Sequence, residues 1–211
     1  MAYKNVNRKT GQKPELWGGT PWEEFTRDVD RAVEVLRGGG VIVYPTDTVW
    51  GLGCDATNED AVRRVMELKG RPEGKPLIVI VDTEQKIEGY VKEVAAVAWD
   101  IIALNVRPTT IVFEGARGLA PSVIAGDGSV GIRLTEEAYS RELCRRLGRA
   151  VVATSANRNG ERTPATFGQI AKEIREGADY VAMYRRADRS RAAASQIIKM
   201  GPRGESKVIR R

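Results

Sequence analysis

The chain of 211 residues contains no histidine. That absence excludes Ser-His-Asp and Cys-His nucleophilic machinery, and it excludes a histidine-built metal site. Any metal ion has to be held by oxygen ligands, in the way magnesium is usually held by a substrate's own phosphates. Cysteine is nearly absent too. Cys54 and Cys144 stand ninety positions apart, form no CxxC pair and match no zinc spacing. They read as two buried thiols in a reducing cytosol, which places the protein in the cytoplasm. No apolar run approaches the roughly 18 residues needed to cross a bilayer, so no membrane partner is expected. The polar, basic stretch from Met1 to Gly19 lacks the apolar centre of a secretory signal and reads as an arm. Aromatic residues make up only 6%, too few for a base-stacking platform of the single-strand-binding kind.

What is present is an ordinary globular composition, 42% hydrophobic and 29% charged. The net charge of +6 is unevenly placed. Residues 141–211 hold 17 Lys and Arg against 7 Asp and Glu, and residues 1–140 hold 17 against 21. A basic carboxy-terminal third suits an anionic partner, nucleotide or RNA, and equally a solvated face.

Apolar periodicity predicts alternating helices and strands. Thr20-Pro21-Trp22-Glu23 reads as a helix start, with Thr20 as cap and Glu23 completing a capping box. Phe25, Val29, Ala32, Val33 and Leu36 follow at helical spacing, and Gly38-Gly39-Gly40 ends the run. Asn58 caps a second helix. Further helices are predicted over Tyr90–Leu104, Glu136–Leu147 and Phe167–Glu176. Strands are predicted at Val41–Tyr44, Leu77–Val81, Thr109–Phe113, Ala150–Thr154, Tyr180–Tyr184, Ser195–Met200 and Lys207–Arg210. Val123 to Leu134 reads as a hairpin turning at Gly126-Asp127-Gly128-Ser129. The sum is one α/β (α+β) domain over residues 20–211, with a twisted, open, mixed sheet flanked by helices and residues 1–19 as the arm.

Four segments place polar residues directly after a strand or at a helix end, where ligands bind in open α/β sheets. Pro45-Thr46-Asp47-Thr48-Val49-Trp50-Gly51-Leu52-Gly53 sets hydroxyls and a carboxylate before glycines that admit a ligand to the backbone. Lys69-Gly70-Arg71-Pro72-Glu73-Gly74-Lys75-Pro76 puts three cations at a helix C-terminus, where the helix dipole favours Lys69, and in the following loop, which prolines stiffen and which suits a triphosphate or carboxylate. It is not a P-loop, since GxxxxGK[ST] is missing. Thr154-Ser155-Ala156-Asn157 ends a buried strand, with Ser155 and Asn157 on one side if the strand continues. Without a histidine base, Ser155 reads as a donor to phosphate rather than a nucleophile. The fourth group is dispersed: Arg133 at a strand end, Ser195 opening a late strand and Arg210 near the chain's end.

Taken in order, these segments resemble the YrdC/YciO family. The PT[ED]TV[YW]GLG pattern is met by Pro45–Gly53 and the KxR motif by Lys69-Gly70-Arg71. A Pro-Leu strand start is met by Pro76-Leu77, the central Pro-x-Thr by Pro108-Thr109-Thr110 and SxN by Ser155-Ala156-Asn157. A late serine and a terminal arginine are met by Ser195 and Arg210. The likeness covers Phe25 to Arg210.

The resemblance implies a threonylcarbamoyl-AMP synthase, a nucleotidyltransferase that makes threonylcarbamoyl-adenylate and pyrophosphate from L-threonine, bicarbonate and ATP with Mg2+. Its product goes to a partner complex that modifies adenosine 37 of tRNA. Lys69, Arg71, Ser155 and Asn157 are implied as catalytic, Thr46 and Arg71 as threonine contacts, and Thr110, Ser195 and Arg210 as further ligand contacts. Arg133 is a substrate-binding candidate, and no side chain is assigned as a metal ligand. Double-stranded RNA or tRNA is a further implied partner. Longer members carry a second carboxy-terminal domain for which this chain is too short. Ile80 departs from the pattern, standing where active relatives often have His. Replacing a buried polar group there by a hydrocarbon costs about 1–3 kcal/mol of substrate affinity. The alternative is therefore a YciO-type RNA- or ribosome-associated binding protein without synthase activity.

Overall fold

Amphipathic helices and short apolar strands account for most of the chain in the computed structural model, which describes residues 16–104, 107–190, 194–201 and 203–210. In chain order the elements are α1 (Trp22–Arg37), β1 (Ile42–Tyr44), β2 (Gly51–Gly53), α2 (Glu59–Lys69), β3 (Ile78–Val81), α3 (Glu84–Tyr90) and α4 (Ala96–Leu104). Then come β4 (Thr109–Phe113), β5 (Val130–Leu134), α5 (Ala138–Leu147), β6 (Val151–Val152) and β7 (Thr154–Ser155). The chain closes with α6 (Lys172–Gly177), β8 (Tyr180–Val181), β9 (Gln196–Met200) and β10 (Ser206–Arg210).

The α/β class is as expected, but the strands divide between two mixed sheets. One has four strands in the order β7-β2-β1-β8, and the other has six in the order β10-β9-β4-β5-β3-β6. The predicted strand 150–154 is where the chain changes sheet. Val152 pairs with Val79 in the larger sheet, while Thr154 pairs with Leu52 in the smaller. The Val152 carbonyl turns toward the smaller sheet and accepts the Tyr44 hydroxyl at 2.8 Å. It lies only 2.0 Å from where a Cβ on Gly53 would be, so no other residue fits there without moving backbone.

Other sequence expectations shift for traceable reasons. Thr20 is not the cap of α1; its hydroxyl donates to the Trp17 carbonyl, and the helix begins after Pro21 with no side-chain cap. Of the helix expected over 90–104 only α4 forms: Tyr90 ends the preceding α3, Val91 is drawn into a bridge with Ala116, and the Tyr90 carbonyl accepts from the Arg117 amide. The stretch 167–176 is likewise a single 3-10 turn (Phe167–Gln169) followed by α6. The turn at 126–129 forms, closed by Ser129 on Asp127 and by the left-handed Gly128. Its leading arm is not a strand. Pro121–Val123 is a 3-10 turn fastened by Ser122 to Glu59, and β5 pairs instead with β4 and β3. Strand β8 stops at Val181 because the Met183 and Tyr184 amides donate to the Asp28 carboxylate rather than to a neighbouring strand.

The expected cap of α2 is present: Asn58 accepts the Ala61 amide. Gly70, left-handed at φ 58°, ends that helix, with the Arg71 amide returning to the Met66 carbonyl. A single apolar core runs through both sheets and the helices, and it takes in Leu16; residues 1–15 of the expected arm lie outside the described residues. Cys54 and Cys144 are both free and buried. Burial pushes each thiol far above its ordinary value, so neither is an available thiolate.

Candidate functional site

The geometry begins with Lys69, the last residue of α2. Its side chain turns inward until the residue is 2% exposed, and its ammonium donates to the carbonyls of Ser155 at 2.5 Å and Asn157 at 2.6 Å. The Asn159 amide returns a bond to the Lys69 carbonyl at 2.7 Å. Two segments 86 residues apart are thereby locked together. Desolvation of the ammonium is the largest influence on Lys69, followed by the neighbouring positive charge of Arg71; together they bring its pKa down to about 8. An ammonium has three donors. Two are used on these carbonyls, and the third has no partner among the described residues.

Arg71 folds back over its own loop, donating to the carbonyls of Lys75 and Pro76. Burial also lowers its pKa. Ser155 and Asn157 do not extend one strand as expected. β7 ends at Ser155, and Asn157 turns to donate its amide to the carbonyls of Arg158 and Glu161. The Asn157 Oδ1 atom is buried without a donor.

A second cluster gathers at one end of the larger sheet. β4 and β9 begin there, and β5 and β10 end there. Thr110 and Ser195 share a hydroxyl hydrogen bond of 3.0 Å, and both are buried. Arg210 donates to the Ser195 carbonyl and hydroxyl. Arg133, 3% exposed, lies close enough to Arg210 to lower its pKa, after the larger effect of burial. Two arginines held near one another in partial burial make a place for negative charge. Arg133 Nε comes within 3.0 Å of Asp47 Oδ1, yet the two are not aligned as a hydrogen bond. Their attraction is coulombic, and both atoms keep a bond to give or accept. Strand alternation puts Ile78 and Ile80 on the face that carries Gly131 and Arg133. Gly131 leaves that face open enough for Thr110 and Ile78 to approach within about one carbon's contact distance. Ile80 itself is fully buried.

The turn after β1 joins the two clusters. Thr46 accepts the Thr48 amide, donates to the Val49 carbonyl, and shares a 3.0 Å contact with the Thr48 hydroxyl. Asp47 faces Arg133, while Trp50 accepts the Ala156 amide and Gly51 pairs with Ser155. The glycines of this segment serve a different purpose from the one expected. A Cβ on Gly51 would meet Thr46 and Tyr44, and one on Gly53 would strike Val152, so they admit the protein's own chain rather than a ligand.

Two residues escaped the sequence reading. Asp28 is buried in α1 and accepts from the Tyr139 and Tyr180 hydroxyls and the Met183 and Tyr184 amides. A carboxylate on the apolar stripe between Phe25 and Ala32 was the available signal. Arg185 donates to the Thr46 carbonyl, and nothing in its sequence context marks it. Among the described residues no cluster of three or more Cys, Asp or Glu side chains could hold a metal, and no helix is long and apolar enough to cross a membrane.

The Sua5/YciO/YrdC family model, described as telomere recombination, matches residues 34–211. A protein named threonylcarbamoyl-AMP synthase from Idiomarina loihiensis is 34% identical, over 67% of this chain and 78% of its own length. One of the same name from Thiobacillus denitrificans is 39% identical, over 65% of this chain and 73% of its own. The crystal structure of P. abyssi Sua5 complexed with L-threonine is similar at a TM-score of 0.72 and 25% identity, over 82% of this chain. This chain spans 50% of that one.

Proposed function

The chain belongs to the Sua5/YciO/YrdC family, and from that premise we propose that it is a threonylcarbamoyl-AMP synthase. It is a nucleotidyltransferase that joins L-threonine, bicarbonate and ATP into threonylcarbamoyl-adenylate, releases pyrophosphate, and supplies tRNA modification in the cytoplasm. The names of the relatives favour this reading over a non-catalytic binding protein.

The observation that carries it is the Lys69 clamp, a buried cation held by two carbonyls rather than a carboxylate, with one donor left for phosphate. Threonine's amine adds to the bicarbonate carbon and water leaves, giving a carbamate. A carbamate oxygen then attacks the α-phosphorus, and the bond to the departing pyrophosphate breaks. Such a transfer needs positioning and charge neutralisation more than a protein base, which suits a chain without histidine. Lys69 and Arg71 neutralise phosphate charge, and Ser155 and Asn157 orient it. Thr46 and Arg71 hold the amino acid. Thr110, Arg133, Ser195 and Arg210 form the second anion-binding end. A magnesium ion bound with the triphosphate would offset part of its charge. The orphaned Asn157 Oδ1 is the protein oxygen that fits it.

The test is pyrophosphate release from ATP and bicarbonate with each amino acid in turn. Threonine-dependent release that is lost in Lys69→Met and reduced in Asn157→Ala supports the reading. Absence of release with every amino acid sinks it.

A further inference from the structure

We infer that Arg185 is a positioning residue for the amino-acid end of the site: its guanidinium fixes the Thr46 carbonyl, and through it the Thr46–Thr48 hydroxyl pair. The inference rests on the proposed function, which puts threonine at Thr46.

Three observations lead to it. Arg185 is the one non-glycine residue at positive φ among the described residues, at 63°. An L side chain is strained there, and such strain persists only where the surroundings over-determine it. Those surroundings are visible. Asp28, buried in α1, takes the amides of Met183 and Tyr184 at 2.9 and 2.7 Å, fixing the two residues before Arg185. The Tyr180 hydroxyl donates to the same carboxylate at 2.6 Å and fixes the start of β8. The turn is thus pinned from α1.

The guanidinium is then aimed. Its Nε and one terminal nitrogen donate to Asp188 Oδ2 at 3.0 and 2.8 Å. The other terminal nitrogen reaches the Thr46 carbonyl at 3.2 Å and Glu137 Oε1 at 3.4 Å. Glu137 is itself buried and holds the Ser140 amide at the start of α5. Two carboxylates from different segments therefore orient one planar cation, which leaves it a narrow choice of positions. The edge turned toward β1 closes on the Thr46 carbonyl. A cleft of about 20 Å³, room for about one water, lies against this contact and is lined by Thr46, Thr48, Trp50, Arg185, Asp188 and Ser190. Because carboxylates already occupy the guanidinium, it acts on the turn rather than serving as an anion site.

The experiment compares wild type with Arg185→Met, Arg185→Gly and Arg185→Lys. Without the hydrogen bond to the Thr46 carbonyl, the KM for threonine rises about tenfold, the size of one charge-assisted hydrogen bond at the low end of its range. The KM for ATP and kcat stay within about twofold. Arg185→Lys keeps a cation at the carbonyl and recovers most of the affinity. Arg185→Gly relieves the backbone strain but shows the same KM split as Arg185→Met. Hydrogen exchange at the Thr48 amide, which bonds to Thr46 Oγ1, speeds up in Arg185→Met while exchange in β1 is unchanged. Should Arg185→Met not fold, the Arg185→Met, Glu137→Gln pair, which leaves Glu137 neutral, takes its place. Unchanged Thr48 exchange overturns the inference whatever the activity. So does an equal rise in both KM values, which marks a general loss of structure. A wild type with no threonine-dependent turnover refutes the proposed function and leaves the exchange result to decide this one.

Discussion

Raising the pH through 8 in the presence of ATP strips a proton from Lys69 well before an ordinary lysine would lose one, because burial and Arg71 hold its pKa at about 8. A phosphate contact that needs the ammonium weakens about tenfold for each pH unit beyond that point. Nucleotide affinity is therefore expected to be level up to about pH 7.5 and to fall about tenfold by about pH 9. Titration calorimetry of ATP from pH 7 to 9.5 reads the effect directly. Lys69→Arg, charged throughout, should lose the alkaline limb, and Lys69→Met should bind weakly and without pH dependence.

Stability has the opposite trend. The folded state gives up this proton near pH 8, and the unfolded chain keeps it to about 10.5. Between those values the unfolded state binds more protons, so stability rises with pH, by about 3 kcal/mol at most from this group. Denaturant midpoints of wild type against Lys69→Met isolate that contribution. An ATP affinity that stays flat to pH 9.5 would refute the reasoning, since it would mean that Lys69 is either solvated or not a phosphate ligand.

Gly53→Ala should cost about 1–3 kcal/mol or fail to fold, since the new methyl would lie 2.0 Å from the Val152 carbonyl; thermal melting measures it. Asp28→Ala strips the acceptor from two hydroxyls and two amides and should cost about 3 kcal/mol or more, against a smaller loss in Asp28→Asn, read from urea midpoints. Arg210→Met should weaken anionic-substrate binding about tenfold, with a melting temperature within about 2 °C of wild type, because the residue lies on an exposed edge strand. Thiol reagents should leave Cys54 and Cys144 unmodified in the native protein and label both after denaturation, as mass spectrometry will show.

The sequence by itself determined a good deal. Missing histidine and scattered cysteines removed whole classes of chemistry, and apolar periodicity located α1, α2, α5 and the buried strands β1, β3 and β4. Those are local properties: a 3.6-residue stripe or a short apolar run reports its burial without knowing its neighbours. The motif residues were equally legible, since Lys69, Arg71, Ser155 and Asn157 stand in ordered patterns.

Tertiary structure decided what depends on distant partners. The helix expected over Tyr90–Leu104 shrank to Ala96–Leu104 because Val91 found a strand-like partner at Ala116, and 150–154 split because Val152 and Thr154 belong to different sheets. The glycines of the Pro45–Gly53 segment looked like ligand clearance and proved to be clearance for Tyr44 and Val152. Lys69 was legible only as one of three cations suited to a phosphate; the approach of residues 155–157 buried it, lowered its pKa and gave it a fixed aim. Arg185 had no local signature at all, because its strain comes from Asp28 and its target is Thr46. Periodicity and motif are written along the chain, whereas desolvation, clamping and strain exist only once segments far apart in sequence are pressed together.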